Sequence, residues 1–464
     1  MFKSKIFLLF SLIFALGSDS YAFYRTHNNC HNKKINIQPF TAYRPPAGLE
    51  HVITCPPFSM INSLLARQTA HKNPQSFLHI LCPELDLSLN DGKYYKKIYR
   101  QARKALHKFV KNNLLVPDSK PAFYIYRQQN GQQSSIALLT QIHLNGYLLG
   151  KIKPHELTKP KNELWLQGLL QKQQADIDPV MLFYKKSQDI DAIITEKMQE
   201  VPEVDFISED GTRHAVWVMH EIQTINKIKK YFACLKDIYI ADGHHRMLVK
   251  SKLQYIGRMH RGNTYTGKEP FNYILAALYA QDEMHVISYN RVVKSLNGLS
   301  PERFLTLLQE LFIIEAVCDG LDAVPSRPQT FGMYLHGSWY RLLLKDAEIN
   351  KRKKNIKNKV GTLDASILYD LVLSEIPIMT NLDSNTLEIK IREDSNIICV
   401  PGSLEIHDIE KTCKDNKYEA AFVFYPVHVN DIMNIVDARQ VMPPKTTFFM
   451  PKVRAGLFVR LFAL

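Results

Sequence analysis

Along this chain the spacing of apolar residues switches between a period of two and a helical period, and the switches mark its elements. Alternation over residues 35–40, 122–126, 135–142, 214–219 and 284–293 predicts strands. Asn130-Gly131 joins two of them and Asp210-Gly211 leads into a third, so both read as hairpin turns. Residues 51–61 read as a strand halted by Pro56-Pro57, which sets a loop at a strand end. Helical spacing predicts helices over 95–112, 162–173, 301–312 and 364–375. Residues 330–335 and 339–344 are again strand-like, whereas 257–269, rich in Gly, Arg and Thr, read as a mobile loop. The expected fold class is α+β, with a mixed-sheet N-terminal region over 35–298 and a C-terminal α/β domain over 299–464.

The length of 464 residues agrees with more than one core. A hydrophobic content of 45% and a charged content of 22% exclude a disordered chain. The net charge of +14 points to an anionic partner, whether nucleic acid, a membrane surface or a phosphorylated ligand. Much of the excess lies in residues 93–111 and in a basic loop at 351–359. The first run has Ala102, Leu106 and Val110 on its other side, as a solvated helix face does. Neither run carries the aromatic interleaving of a nucleic-acid reader, so both read as solvated surface and nucleic acid is not the favoured partner.

Residues 1–22 read as a signal peptide: Lys3 and Lys5 precede an apolar run, and Ser20-Tyr21-Ala22 forms a small-x-small cleavage site. That pattern implies export to the periplasm or beyond, and no other stretch is long enough to span a membrane. The seven cysteines, odd in number and without a Cys-x-x-Cys pair, argue against a disulfide framework and against a structural zinc site.

The chemistry concentrates at residues 238–246. Ile238-Tyr239-Ile240-Ala241 reads as a strand, Asp242-Gly243-His244-His245-Arg246 as a charged turn, and the residues from Met247 to Leu253 as an amphipathic helix. A helix start carries N–H groups that the helix itself cannot satisfy, together with the positive end of its dipole, so it stabilises an anion. Gly243 lets the backbone approach closely, Arg246 can fork onto phosphate oxygens, and His244 or His245 can donate a hydrogen bond or move a proton. The two readings are a phosphate cradle and a tight turn with Asp242 as helix cap. His155-Glu156, ahead of the helix at 162–173, is a candidate acid/base pair, although neighbours on an extended chain face opposite ways. Near the C-terminus, the proline-rich run from Met442 to Lys452 reads as an extended, rigid segment, with two readings: it returns to the first domain and places Lys445 on an anion, or it is a tail pinned by packing.

Together these stretches resemble the domain-of-unknown-function 1015 family. The matching residues are Ile37-Gln38-Pro39-Phe40, Pro56-Pro57, His155-Glu156-Leu157-Thr158, Asp242 to Arg246, Met442 to Phe449, Pro451-Lys452 and Gly456-Leu457. The resemblance runs from about residue 35 to the end. It implies a ParB/sulfiredoxin-like core in which Gly243, His244, His245 and Arg246 hold nucleotide phosphates. That superfamily includes nucleotide-hydrolysing partition proteins, sulfiredoxins and an ADP-dependent free serine kinase. It also implies a cytoplasmic enzyme, where the leader implies export. Three positions depart from the family pattern: Phe58-Ser59 replaces Tyr-Asp, Glu163-Leu164 stands where an Arg is usual, and Asn290-Arg291 replaces His-Arg.

The resulting expectation is a nucleotide- or phosphate-binding protein working as a phosphotransferase or NTP hydrolase. Arg246, the helix start and Lys445 would hold the phosphates of ATP or ADP, Asp242 would hold Mg²⁺, and Glu156 or His155 would take the acceptor proton. The departures favour an alternative, a non-enzymatic binder of a phosphorylated ligand. A third reading is a metal-dependent hydrolase using His244, His245 and either His155 or His214.

Overall fold

In the computed structural model the described residues are 34–61, 63–87, 94–354, 358–374 and 396–462. The chain divides into two units. The first comprises Met1–Lys153, Thr158–Glu283 and Lys452–Leu464, and the second Pro154–Leu157 and Met284–Pro451. The leader reading of residues 1–22 lies outside the described residues.

The first unit is built on one mixed sheet of nine strands. In chain order they are β1 (Ile37–Gln38), β2 (Phe123–Asn130), β3 (Gln133–His143), β4 (Ile152–Lys153), β5 (Val180–Tyr184), β6 (Val204–Ile207), β7 (Arg213–Met219), β8 (Ile238–Asp242) and β9 (Tyr273–Ala280). Their spatial order is β4-β8-β5-β9-β3-β2-β7-β6, with β1 beside β3. Only β8 with β4 and β9 with β5 run parallel among these pairings. The hairpin read from Asn130-Gly131 is present: Asn130 faces Gln133, and Gly131 closes the turn at φ 56°.

The helices of this unit include α1 (Tyr94–Lys111), α2 (Pro160–Gln173), α3 (Gln188–Lys197), α4 (Ile222–Cys234) and α5 (His244–Arg261). Ile190 and Ile194 of α3 and Ile225, Ile228 and Phe232 of α4 pack against Ile125, Leu138, Leu182, Ile240 and Leu278 of the sheet. Each such side chain removed from water contributes about 1.5–3 kcal/mol. This burial fixes the register of β8, and with it the place where the chain leaves the sheet at Asp242.

The second unit carries a seven-stranded sheet of β10 (His285–Val293), β11 (Phe312–Val317), β12 (Thr330–Leu335), β13 (Ser338–Leu344), β14 (Ile397–Pro401), β15 (Ala420–Phe424) and β16 (Thr447–Met450). Every pairing in it is antiparallel, so the unit is α+β and not the alternating α/β expected from sequence. Helices α6 (Pro301–Leu311), α7 (Asp346–Lys353), α8 (Ile406–Asn416) and α9 (Val429–Asp437) belong to it. Alternation along β12 sends Phe331 and Met333 to Phe304 and Leu308 of α6, and Tyr334 to Ile409 and Cys413 of α8.

Several local expectations are corrected. Residues 50–53 form a helical turn and not a strand: both the N–H and the hydroxyl of Thr54 bond the Glu50 carbonyl, and only Cys55 bridges to a strand partner, Ala455. The expected loop at 257–269 is helical as far as Arg261, because Gly257 lets Phe271 pack where a Cβ would lie 2.9 Å from its ring. Lys351, Arg352 and Lys353 end α7, whose acidic first turn and basic last turn match its dipole, while residues 355–357 lie outside the described set. The helix begun at Asp364 widens to a π-turn at Tyr369–Leu373. The six described cysteines are free thiols. No described helix is long and apolar enough to cross a membrane.

Candidate functional site

The strand-to-helix turn predicted at 238–246 is present. Ile238, Tyr239, Ile240 and Ala241 are buried in β8, and α5 begins at His244. Between them Gly243 adopts φ 95°. A Cβ at this position would meet Val180 Cγ1 at 2.9 Å, so both the backbone angle and the space require glycine. Gly243, and not Asp242, is the residue that caps α5.

The absent cap leaves Asp242 for another task. Its Oδ2 lies 3.1 Å from the Lys452 ammonium and 3.3 Å from Arg246 Nη2. Burial pushes this carboxyl up, but Lys452 and then Arg246 outweigh it and hold Asp242 well below the usual carboxylate range. Arg246 also donates from Nη1 to the carbonyls of Asp178 and Pro179 at 2.7 and 2.8 Å, and pairs with Asp178 Oδ2 at 2.6 Å. Asp178 moves the other way. Burial raises its pKa, Arg246 only partly opposes this, and the Asp242 charge adds to the rise. One guanidinium thus bridges two carboxylates whose protonation is displaced in opposite directions.

The histidines of the turn differ in role. His245 Nε2 accepts the Lys159 N–H at 2.9 Å, which holds the entry to α2. His244 is 8% exposed, and its charge contributes to lowering Asp242. One and two turns further along α5, Lys250 and Gln254 are buried. Lys250 lies 3.1 Å from Asp176 Oδ1, and Arg460 reaches Asp176 Oδ2 at 2.9 Å. Glu163, part of a departure from the family pattern, binds Lys252 of α5 at 2.7 Å, while Leu164 is 51% exposed.

The remaining expected site residues belong to the second unit. His155 is 2% exposed, its Nε2 is 2.9 Å from Thr447 Oγ1, and its carbonyl accepts the Met442 N–H at 2.9 Å. Because residues 155–156 form a bend, Glu156 Oε1 comes within 3.8 Å of His155 Nε2, against the expectation that the two face apart. Lys445 sits over the Tyr289 ring at 4.7 Å and donates to its hydroxyl at 3.1 Å. The turn that carries it is clamped by Arg291, fully buried, whose Nη2 bonds the Pro444 and Lys445 carbonyls at 3.3 and 2.9 Å. Asn290, the third departure, is 5% exposed, and its Oδ1 accepts the Phe424 N–H at 3.4 Å.

The structure therefore brings Asp242, Gly243, His244, His245 and Arg246 together in the first unit, and pairs His155 with Glu156 in the second, where Lys445 stands on Tyr289. From the C-terminal run Lys452 reaches the Asp242 turn. Sequence reasoning missed Asp178, Asp176, Lys250 and Arg460. A signal for Lys250 was present, since it lies four residues after Arg246 on the face shared with Met247 and Leu253.

A zinc set of His244, His245 and His155 or His214 finds no support. His214 is buried with Nδ1 2.7 Å from the Tyr126 hydroxyl and Nε2 2.9 Å from Ser208 Oγ, and burial lowers its pKa to about 4. Among the described residues no three His, Cys, Asp or Glu side chains gather as a metal site.

These features define an α+β chain with a glycine-opened, charge-bridged helix start. Its sequence matches, over residues 37–366, the family described as "Protein of unknown function (DUF1015)", and the chain belongs to that family. Among solved structures it is similar to a free serine kinase in complex with AMP, at 14% identity and a TM-score of 0.32, covering 69% of this chain and 92% of that one. It is also similar to SbnI with C-terminal truncation from Staphylococcus aureus, at 10% identity and a TM-score of 0.36, covering 70% and 87%. A conserved hypothetical protein from Pyrococcus furiosus matches at 12% identity and a TM-score of 0.32, covering 69% and 95%. No curated protein sequence matches the chain.

Proposed function

We propose that the first unit binds a phosphate-bearing small molecule, a nucleotide such as ADP or ATP, at the start of α5. The observation that carries this reading is the convergence of Arg246 and Lys452 on the first turn of an 18-residue helix opened by Gly243. A glycine there admits a close ligand, and the helix start and both cations favour an anion. The likeness of Asp242 to Arg246 to the ParB/sulfiredoxin-like phosphate-binding signature supports it further. On arrival the phosphate competes with Asp242 for Lys452 and Arg246. Mg²⁺ fits this reading as an ion carried in on the phosphates, with Asp242 as the carboxylate that stays charged.

The test is calorimetric titration of the full chain with ADP and with ATP, each with Mg²⁺. Arg246→Ala is expected to weaken binding by about tenfold or more, with Arg213→Ala, which breaks an exposed pair on β7, within about twofold. Equal affinity in all three proteins rejects the reading.

Phosphoryl transfer is the second reading, favoured by the opposed displacement of Asp178 and Asp242 on one guanidinium. Asp178 is then the group that takes the acceptor proton. Asp178→Asn should abolish turnover of the nucleotide while leaving its affinity within about threefold.

A further inference from the structure

A cavity of about 470 Å³ lies wholly within the second unit, bounded by the end of α7, residues 358–364, the loop 425–428 and α9. Its size suits a small metabolite. Its rim is cationic, lined by Arg352, Lys353 and Lys359. Arg352 has one Nη1 already committed to the Gly361 carbonyl and to Asp370, both at 2.9 Å, but its Nε–H is buried with no acceptor among the described residues.

The inner wall is of a different character. Asp364 lines it, 6% exposed, with one oxygen accepting the Gln329 N–H at 2.8 Å. Thr330, next to Gln329, and Ser366, two residues beyond Asp364, are 5% and 7% exposed, and each has a buried hydroxyl with no hydrogen-bond partner among the described residues. These three buried atoms do not open onto the cavity, so the polar group its inner wall offers an occupant is the Asp364 carboxyl, of which one oxygen is bonded to the Gln329 N–H. Burial raises the Asp364 carboxyl to about 7, so near neutrality it can donate as well as accept.

Cations at the rim and the Asp364 carboxyl inside define complementary chemistry: an anionic group at one end of the ligand and hydroxyls at the other. We propose that this cavity binds a phosphorylated sugar, with its phosphate held by Arg352, Lys353 and Lys359 and its hydroxyls turned toward Asp364. The site is separate from the start of α5 and does not rest on the nucleotide reading.

The experiment is calorimetric titration of the full chain with ribose 5-phosphate, joined to hydrogen exchange over α9. Binding is expected with slowed exchange in residues 429–437, and Lys353→Glu with Lys359→Glu should weaken it by about tenfold or more. Both lysines are exposed, so the double variant keeps its fold. Lys351→Glu, on the same helix but not lining the cavity, should bind within about twofold of the parent, as should Arg246→Ala. Absence of binding at millimolar ligand overturns the proposal. So does an equal loss in Lys351→Glu, which indicates diffuse charge attraction, or a loss confined to Arg246→Ala, which places the ligand at α5.

Discussion

Replacing Lys250 by Met is expected to remove a pH dependence from the stability of the first unit. Lys250 is 1% exposed, with its ammonium 3.1 Å from Asp176 Oδ1 and 3.2 Å from the Phe462 ring centroid. Asp176 is shared with Arg460, so one buried carboxylate faces two cations. Burial, opposed by Asp176 and reinforced by Arg460, lowers the Lys250 pKa from 10.5 to about 8. The unfolded chain keeps this proton to about pH 10.4, so between the two values the unfolded state binds more protons and stability rises with pH. The displacement corresponds to about 3 kcal/mol, recovered progressively above about pH 8. Met fills a similar volume without charge and Asp176 keeps Arg460, so Lys250→Met should lie within about 1 kcal/mol of the parent at neutral pH, or above it. The assay is urea unfolding followed by tryptophan fluorescence in a Trp339→Phe background, which leaves only Trp165 and Trp217, both in the first unit. Other titrations are common to both proteins and cancel in the difference. Parallel pH profiles, or a variant about 3 kcal/mol less stable at every pH, would refute the reasoning.

Other predictions concern single contacts. Gly243→Ala should lower stability by about 1–3 kcal/mol, read as a drop in Tm, because φ 95° and the Val180 contact both exclude a Cβ. Asp364 holds its proton to about pH 7 against 3.8 unfolded, so its charge costs stability as pH rises between those values. Asp364→Asn, which keeps an acceptor for Gln329, should stabilise by up to about 4 kcal/mol at pH 8 and do little at pH 4 in urea titrations. Arg291→Met should cost about 3 kcal/mol or more and speed amide exchange at Lys445 and Thr446, since five hydrogen bonds from its guanidinium are lost.

Elements with a clean period were legible in the sequence: α1, the β2–β3 hairpin, β7, β10, β12 and the β8-to-α5 turn all stand close to where apolar spacing puts them. Failures came where tertiary contact overrides local pattern. Residues 51–54 are apolar enough for a strand but are drawn into a helical turn by Phe77, whose N–H bonds the Ile53 carbonyl at 2.7 Å. Gly257 looks like a helix breaker until its role against Phe271 is seen. At the site, the turn and its glycine were readable because their constraint is local. The ionic partners were not: Lys452 lies 210 residues from Asp242, and Asp178 lies 68 residues from Arg246. Local pattern carries no trace of such pairs.

The most direct measurement of the central claim is amide hydrogen exchange at the first turn of α5, in the full chain, with and without saturating ADP and Mg²⁺. The phosphate-cradle account predicts slowed exchange in residues 243–247, lost in Arg246→Ala. Nucleotide binding that leaves those amides unchanged, or no binding at all, would contradict it.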